Sequence, residues 1–133
     1  MSVRFLPSFK TVRSRMSFVT VNGGVRTNAS YDDFVNVVKL LLRGVAFDEK
    51  WYLAKYPDVA EAVAGGIFAS GRQHFIEVGY FEGRRPGEFE VDEKWYVATY
   101  PDVADGIKRG KIKSALQHFN DHGYEEGRHP GAL

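Results

Sequence analysis

Apolar residues first recur at a helical period at Phe34, Val37, Val38, Leu41 and Leu42, a spacing that gathers them on one stripe of a helix. Ser30 stands where an N-cap belongs. Asp32 and Asp33 follow in the first turn, where carboxylates meet the positive end of the helix dipole. Arg43 and Gly44 supply a cationic last turn and a residue suited to a left-handed C′ position. The pattern predicts one amphipathic helix between Ser30 and Gly44, with a stripe wide enough to wall both the segment before it and the segment after it.

Upstream the period shortens. Met16–Val21 (MSFVTV) is rich in β-branched and aromatic residues, and Asn22-Gly23-Gly24 offers the positive-φ positions of a tight turn before Val25–Asn28. This predicts a β-hairpin. Two strands alone are marginal in water, so the hairpin should lean on helices or pair with another chain's edge, a homodimer through that edge included. Residues 1–15 follow neither period and read as extended, partly strand.

Downstream the pattern is written twice. Asp48–Ala60 (DEKWYLAKYPDVA) returns as Asp92–Ala104 (DEKWYVATYPDVA), an offset of 44 residues, and the register holds through Gly66 and Gly110, Ser70 and Ser114, His74 and His118, Gly79 and Gly123, and Pro86 and Pro130. A tandem unit of this length marks a helical repeat in which each copy covers a face that its neighbour could not bury alone. Each copy predicts three short helices. Asp48 or Asp92 caps the first, with Phe47 or Val91 placed to staple onto it. That helix must stop near Tyr56 or Tyr100, because the residue before a proline is pushed out of the helical region. Pro57 or Pro101 starts the second at N1, and it ends at Gly65-Gly66 or Gly110. Ser70 or Ser114 caps the third, which runs to Gly79 or Gly123. A glycine-punctuated turn then closes the unit.

The copies differ in one direction: Ile76 becomes Asn120, Val78 becomes His122, Phe81 becomes Glu125, and Ala64-Gly65 becomes Lys108-Arg109. Polar replacement suits a terminal repeat with an uncovered face, so the second copy is expected to be the outer cap. The expected fold is mainly α: an N-terminal hairpin plus helix (1–46), then helical repeats at 47–90 and 91–133, all in one compact domain.

Composition narrows the function classes. A net charge of +1 argues against a generally cationic nucleic-acid or membrane binder, although Arg4, Lys10, Arg13, Arg15 and Arg26 all precede the first acid, Asp32. Without cysteine there is neither a disulfide framework nor a thiolate metal site. No apolar run reaches the roughly 18 to 20 residues of a membrane span, and the start lacks the apolar core of a secretory signal. The default expectation is a cytoplasmic chain.

The repeated motifs, Phe-Asp-x-x-Trp-Tyr-Leu-x-x-Tyr-Pro-Asp-Val-Ala from Phe47 and Ser-x-x-x-His-Phe-x-x-x-Gly-x-x-Glu-Gly-Arg-x-Pro from Ser70, resemble a short tandem repeat of bacterial proteins. That repeat occurs beside glycosyltransferase and methyltransferase domains of surface-polysaccharide synthesis, and in some large RTX-type surface proteins. The resemblance covers residues 47–131, about two thirds of the chain, and implies an accessory, non-catalytic module. The segment before Gly44 carries no such resemblance. The glycine- and aspartate-rich nonapeptides with which RTX proteins hold calcium do not occur in the sequence.

Candidate chemistry is sparse. His118 and His122 are four apart on one expected helix, but two ligands are not a metal site, and Val78 stands where the first copy would need the second histidine. His74 and His118 occupy equivalent positions, and duplicated groups belong to scaffolds more readily than to catalysis. Glu82 with Arg84, and Glu126 with Arg128, read as a charge-assisted clasp fixing the angle between repeats; Asp58 and Asp102 read as helix-start acids. The rings of Trp51, Tyr52, Tyr56 and Tyr80, repeated as Trp95, Tyr96, Tyr100 and Tyr124, read mainly as core, with some left at a surface groove. The expected activity is therefore non-enzymatic, with no cofactor and no metal. The leading reading is a protein-binding adaptor. The alternative is a binder of carbohydrate or another polyanion through the basic N-terminal segment and the repeat aromatics. The candidate interaction surface comprises Arg4, Lys10, Arg13, Arg15, Arg26, Trp51, Trp95, Tyr80, Tyr124, Arg84 and Arg128.

Overall fold

Phe9–Ser14 forms helix α1 in the computed structural model, which describes residues 5–133. The extended reading of residues 1–15 is thus corrected from Phe9 onward. The Ser8 hydroxyl accepts the Thr11 N–H at 3.2 Å and ends the orphaning of one first-turn donor. Six residues are too few to display a helical period, and none of the six is buried, so no apolar stripe announces the helix. Arg4 lies outside the described residues.

The hairpin forms as expected, from β1 (Phe18–Val21) and β2 (Gly24–Thr27) paired antiparallel with Val21 opposite Gly24. Its loop is Asn22-Gly23, with φ of 49° and 76°. Two successive positive φ values define the turn whose twist matches paired strands. Gly24 belongs to the strand. All eight strand residues are exposed, so the hairpin does not lean on the following helix as expected.

That helix, α2 (Tyr31–Leu42), starts on a capping box in which Ser30 accepts from Asp33 N at 3.0 Å and Asp33 accepts from Ser30 N at 3.2 Å. Only part of its stripe is covered. Val37 and Leu42 are buried and Val38 packs on the first repeat's core, while Phe34 is 53% and Leu41 41% exposed. The stripe is a wall on one side only.

The chain divides into two compact units, Met1–Pro86 and Gly87–Leu133, each holding one repeat. The first repeat contains α3 (Glu49–Lys55), α4 (Pro57–Ala64) and α5 (Gly71–His74); the second contains α6 (Glu93–Thr99), α7 (Pro101–Lys108) and α8 (Ala115–His118). The caps are those expected. Asp48 and Asp92 accept from Trp51 N and Trp95 N, Pro57 and Pro101 sit at N1, and Ser70 and Ser114 accept from Gln73 N and Gln117 N. Phe47 packs its ring 4.9 Å from that of Tyr52, the staple across the first turn. The main-chain N–H of Asp48 donates to the Pro86 carbonyl, and that of Asp92 to Pro130, each at 2.9 Å. Each unit thus ties its repeat's last turn to its first cap.

The third helix departs from the sequence pattern. After one α turn it widens into a π turn, Phe75–Gly79 in the first repeat and Phe119–Gly123 in the second. The widened turn brings glycine main chain against a tyrosine: a Cβ on Gly79 would collide with the Tyr52 hydroxyl, and one on Gly123 with that of Tyr96. Position-by-position spacing cannot register this, because a π turn preserves the sequence and changes only which faces coincide.

Each repeat has its own closed core, Leu42, Tyr52, Val59 and Phe75 in the first and Tyr96, Val103, Ala115 and Phe119 in the second. The cover over that core is not duplicated. In the first unit it is the apolar side of α2; in the second it is an extended stretch whose Phe89 ring lies 5.8 Å from Phe119.

This difference overturns the solvent-facing reading of Asn120. Its side chain is 9% exposed; Oδ1 accepts from Phe89 N at 3.1 Å, and Nδ2 donates to the carbonyls of Phe89 and Leu116 at 3.2 and 3.0 Å. A helix satisfies its own backbone and can be met by an apolar Ile76. An extended stretch brings unpaired N–H and C=O groups, and the residue that meets it must supply hydrogen bonds. His122 and Glu125 do lie exposed.

Candidate interaction surface

The groups most suggestive of chemistry are spent inside the repeats. Tyr52 Oη lies 2.9 Å from His74 Nδ1, and Tyr96 Oη 2.8 Å from His118 Nδ1. Neither tyrosine has any exposed surface, and the histidines are 6% and 9% exposed. Burial pushes both hydroxyls up from the ordinary tyrosine range and both imidazoles down, and the neighbouring Arg84 and Arg128 guanidinium groups lower the histidines further. All four groups are held neutral at pH 7, closed off from any reactant.

The arginine clasp is real, but the main partner of each arginine is an aspartate. Arg84 forks onto Asp58, Nη1 to Oδ1 at 2.9 Å and Nη2 to Oδ2 at 2.7 Å, while Glu82 stands 4.0 Å away. Arg128 forks likewise onto Asp102 at 2.8 and 2.7 Å, and its Nε also meets Glu126 at 2.7 Å. The fork lowers both aspartates and raises both arginines. Each guanidinium also covers a tyrosine ring, Tyr56 at 4.9 Å and Tyr100 at 4.8 Å. Those tyrosine hydroxyls accept the main-chain N–H of Arg85 and His129. Asp58 and Asp102 are therefore acceptors that fasten the closing turn to α4 or α7 within one repeat. They are not merely helix-start acids, and the clasp does not span the repeats. The signal was the 26-residue spacing shared by Asp58–Arg84 and Asp102–Arg128.

The repeat aromatics are mostly packed. Trp51 is half-buried, edge-on to Tyr56 at 6.1 Å and covered by the Arg85 guanidinium at 5.1 Å; Trp95 meets Tyr100 in the same way. Tyr124 lies between Phe89 and Phe119. Tyr80 is 38% exposed beside Phe81 at 41%. Among the described residues no three His, Cys, Asp or Glu side chains converge as a metal ion would require, and no helix is long and apolar enough to cross a membrane.

Most of the exposed apolar surface of the described residues lies before the first repeat. Among the described residues, eleven of the sixteen large apolar ones left exposed fall between Phe5 and Val45, with Phe9 at 78%, Val25 at 65% and Tyr31 at 75%. Interleaved with them are Lys10, Arg13, Arg15 and Arg26, all exposed; the Arg13 guanidinium lies over the Phe18 ring at 4.8 Å. Lys10, Arg13, Arg15 and Arg26 thus share a stretch of the chain with the exposed apolar residues, while Arg84, Arg128, Trp51 and Trp95 serve the repeats.

Beside this surface lies a trough that sequence reasoning missed. A depression of about 190 Å³ bordered by Arg15 and Lys39 adjoins one of about 420 Å³ bordered by Arg72, and the two share Arg43, Ile76 and Glu77. Lys39 and Arg43, four apart on one helix, were the available signal. The corresponding depression of the second unit, about 430 Å³, carries Leu116 and Asn120 in place of Arg72 and Ile76, and includes Glu88 and Asp121.

Fold and surface together define a small tandem helical-repeat protein with internally satisfied polar networks. Compared with protein-family models, with curated proteins and with solved structures, the chain matches none.

Proposed function

We propose that this protein is a non-catalytic adaptor whose N-terminal segment and α2 dock a protein partner, with α2 packed on the first repeat. The observation that carries this reading is the concentration of exposed apolar residues, interleaved with cations, in the segment between Phe5 and Val45, since apolar residues left exposed in such number suit a surface that a partner covers. The duplicated Tyr–His and Arg–Asp networks support it by leaving the repeats structural. The setting suggested by the sequence resemblance is bacterial surface-polysaccharide machinery, with the chain as an accessory to its enzymes.

The test is copurification with a specific partner from the cells that express the protein, using wild type and a Phe9→Ser/Val25→Ser variant. Both residues are exposed, so the variant keeps the fold. A partner at fixed stoichiometry with wild type, lost with the variant, is the expected result. Wild type that carries no stoichiometric partner, or a turnover abolished by changing one residue, overturns the reading.

A further inference from the structure

We infer that the trough along α2 binds an acidic, extended segment of the protein partner, an inference that rests on the adaptor reading and adds the chemistry of what is docked. Among the described residues it is bordered by Arg15, Lys39, Arg43 and Arg72 against a single carboxylate, Glu77. Glu77 is already engaged, its Oε2 2.9 Å from Lys39 Nζ. One nitrogen of Arg72 is spent on the carbonyls of Arg43 and Val45, and its guanidinium lies 5.9 Å from the Phe47 ring centroid, which fixes this cation beside the trough. The excess of cation is therefore local and oriented, although the whole chain carries only +1.

Three features select an acidic peptide over other anions. The two depressions adjoin through Arg43 and Ile76, so the site is elongated, unlike the compact cradle of a single phosphate. Apolar Leu40 and Ile76 line it among the cations, with Asn36, Ser70 and Gln73 beside them; an extended peptide alternating acidic and apolar residues offers a partner to both kinds of group, since successive side chains point to opposite faces. No aromatic ring lines either depression, and a saccharide would lack a platform on which to stack. A second copy of the chain is a poor occupant, because it offers that alternation only at Glu88–Asp92, where Phe89 and Val91 are already packed against its own second-repeat core.

The test uses the full chain and a fluorescein-labelled ten-residue peptide alternating Glu and Val, followed by anisotropy. Saturable binding is expected, weakening several-fold between about 50 and 300 mM salt and absent for the peptide with Gln in place of Glu. Exposed ion pairs of this kind are each worth about threefold in affinity, so Arg15→Gln/Arg43→Gln should bind about tenfold more weakly, while Lys113→Gln, in the depression of the second unit, should bind as wild type does. Absence of saturable binding, an equal loss with Lys113→Gln, or tighter binding of a uronic-acid decamer than of the peptide overturns the inference. Partner capture that survives Arg15→Gln/Arg43→Gln but not Phe9→Ser/Val25→Ser would also overturn it while leaving the adaptor reading standing.

Discussion

Replacing Gly79 by alanine sets two effects in opposition within one residue. Helix propensity alone favours alanine by about 0.5 to 1 kcal/mol. Against it, the new Cβ would collide with the Tyr52 hydroxyl and press on His74, whose Nδ1 and Cε1 lie 3.2 and 3.3 Å from the Cβ position. Overpacking a closed core costs about 1 to 3 kcal/mol, and displacing the hydroxyl also weakens the buried Tyr52–His74 hydrogen bond, whose loss costs about 1 to 3 kcal/mol. The net expectation is a destabilisation of about 2 kcal/mol. Tyr52→Phe by itself should cost about 1.5 kcal/mol, because it leaves His74 Nδ1 without its partner. In the double variant the colliding oxygen is gone, so the total should fall short of the sum by about 1 kcal/mol or more. Urea unfolding followed by tryptophan fluorescence measures all three. Each unit carries one tryptophan, Trp51 or Trp95, so a Trp95→Phe background makes the signal report on the first unit. The expected midpoint shift for Gly79→Ala is on the order of 2 M, taking a slope of about 1 kcal/mol per M for a unit of this size. A stabilised Gly79→Ala variant, or additivity within about 0.3 kcal/mol, would refute the reasoning.

Acid should act in two stages. Because burial lowers His74 and His118, the unfolded chain binds more protons than the folded one below about pH 6.5. The stability is complete above that value and falls as pH drops toward the folded pKa values, by at most about 1.4 kcal/mol per pH unit for each histidine. Asp58 and Asp102, lowered by their arginines, contribute stability above about pH 4 that is lost as pH falls through their folded values. Urea midpoints between pH 8 and 3 should show both stages, and His74→Gln with His118→Gln should remove the slope of the first. Arg84→Lys exchanges a fork that also covers Tyr56 for a point charge; since the Asp58 side chain is 63% exposed, the cost should be only about 0.5 to 1 kcal/mol, and Arg128→Lys should match it in the second unit. Gly23→Val strains a residue at φ 76° by about 1 to 3 kcal/mol. Hydrogen exchange should show lost protection in the exposed strands Phe18–Val21 and Gly24–Thr27, with the melting of the repeats unchanged.

By itself the sequence determined what local chemistry dictates. Ser30, Asp48, Ser70 and their repeat counterparts stop the chain from being helical one residue earlier, Pro57 and Pro101 start a helix where the preceding tyrosine must end one, and Asn22-Gly23 sets a two-residue turn; each is legible because cause and effect lie within a few residues. The 44-residue offset further fixed that two like bodies would form. Only the tertiary structure decided which side chains meet across longer distances. Arg84 chose Asp58 over the nearer-in-sequence Glu82 because α4 presents both carboxylate oxygens to the fork. Asn120 was buried because an extended stretch, not a helix, lies over it. Arg15, Lys39, Arg43 and Arg72 border one trough although 57 residues separate the first from the last. Capping and turn formation are short-range and leave a mark on neighbouring letters, whereas burial and charge pairing depend on distances in space that the order of residues along the chain does not specify.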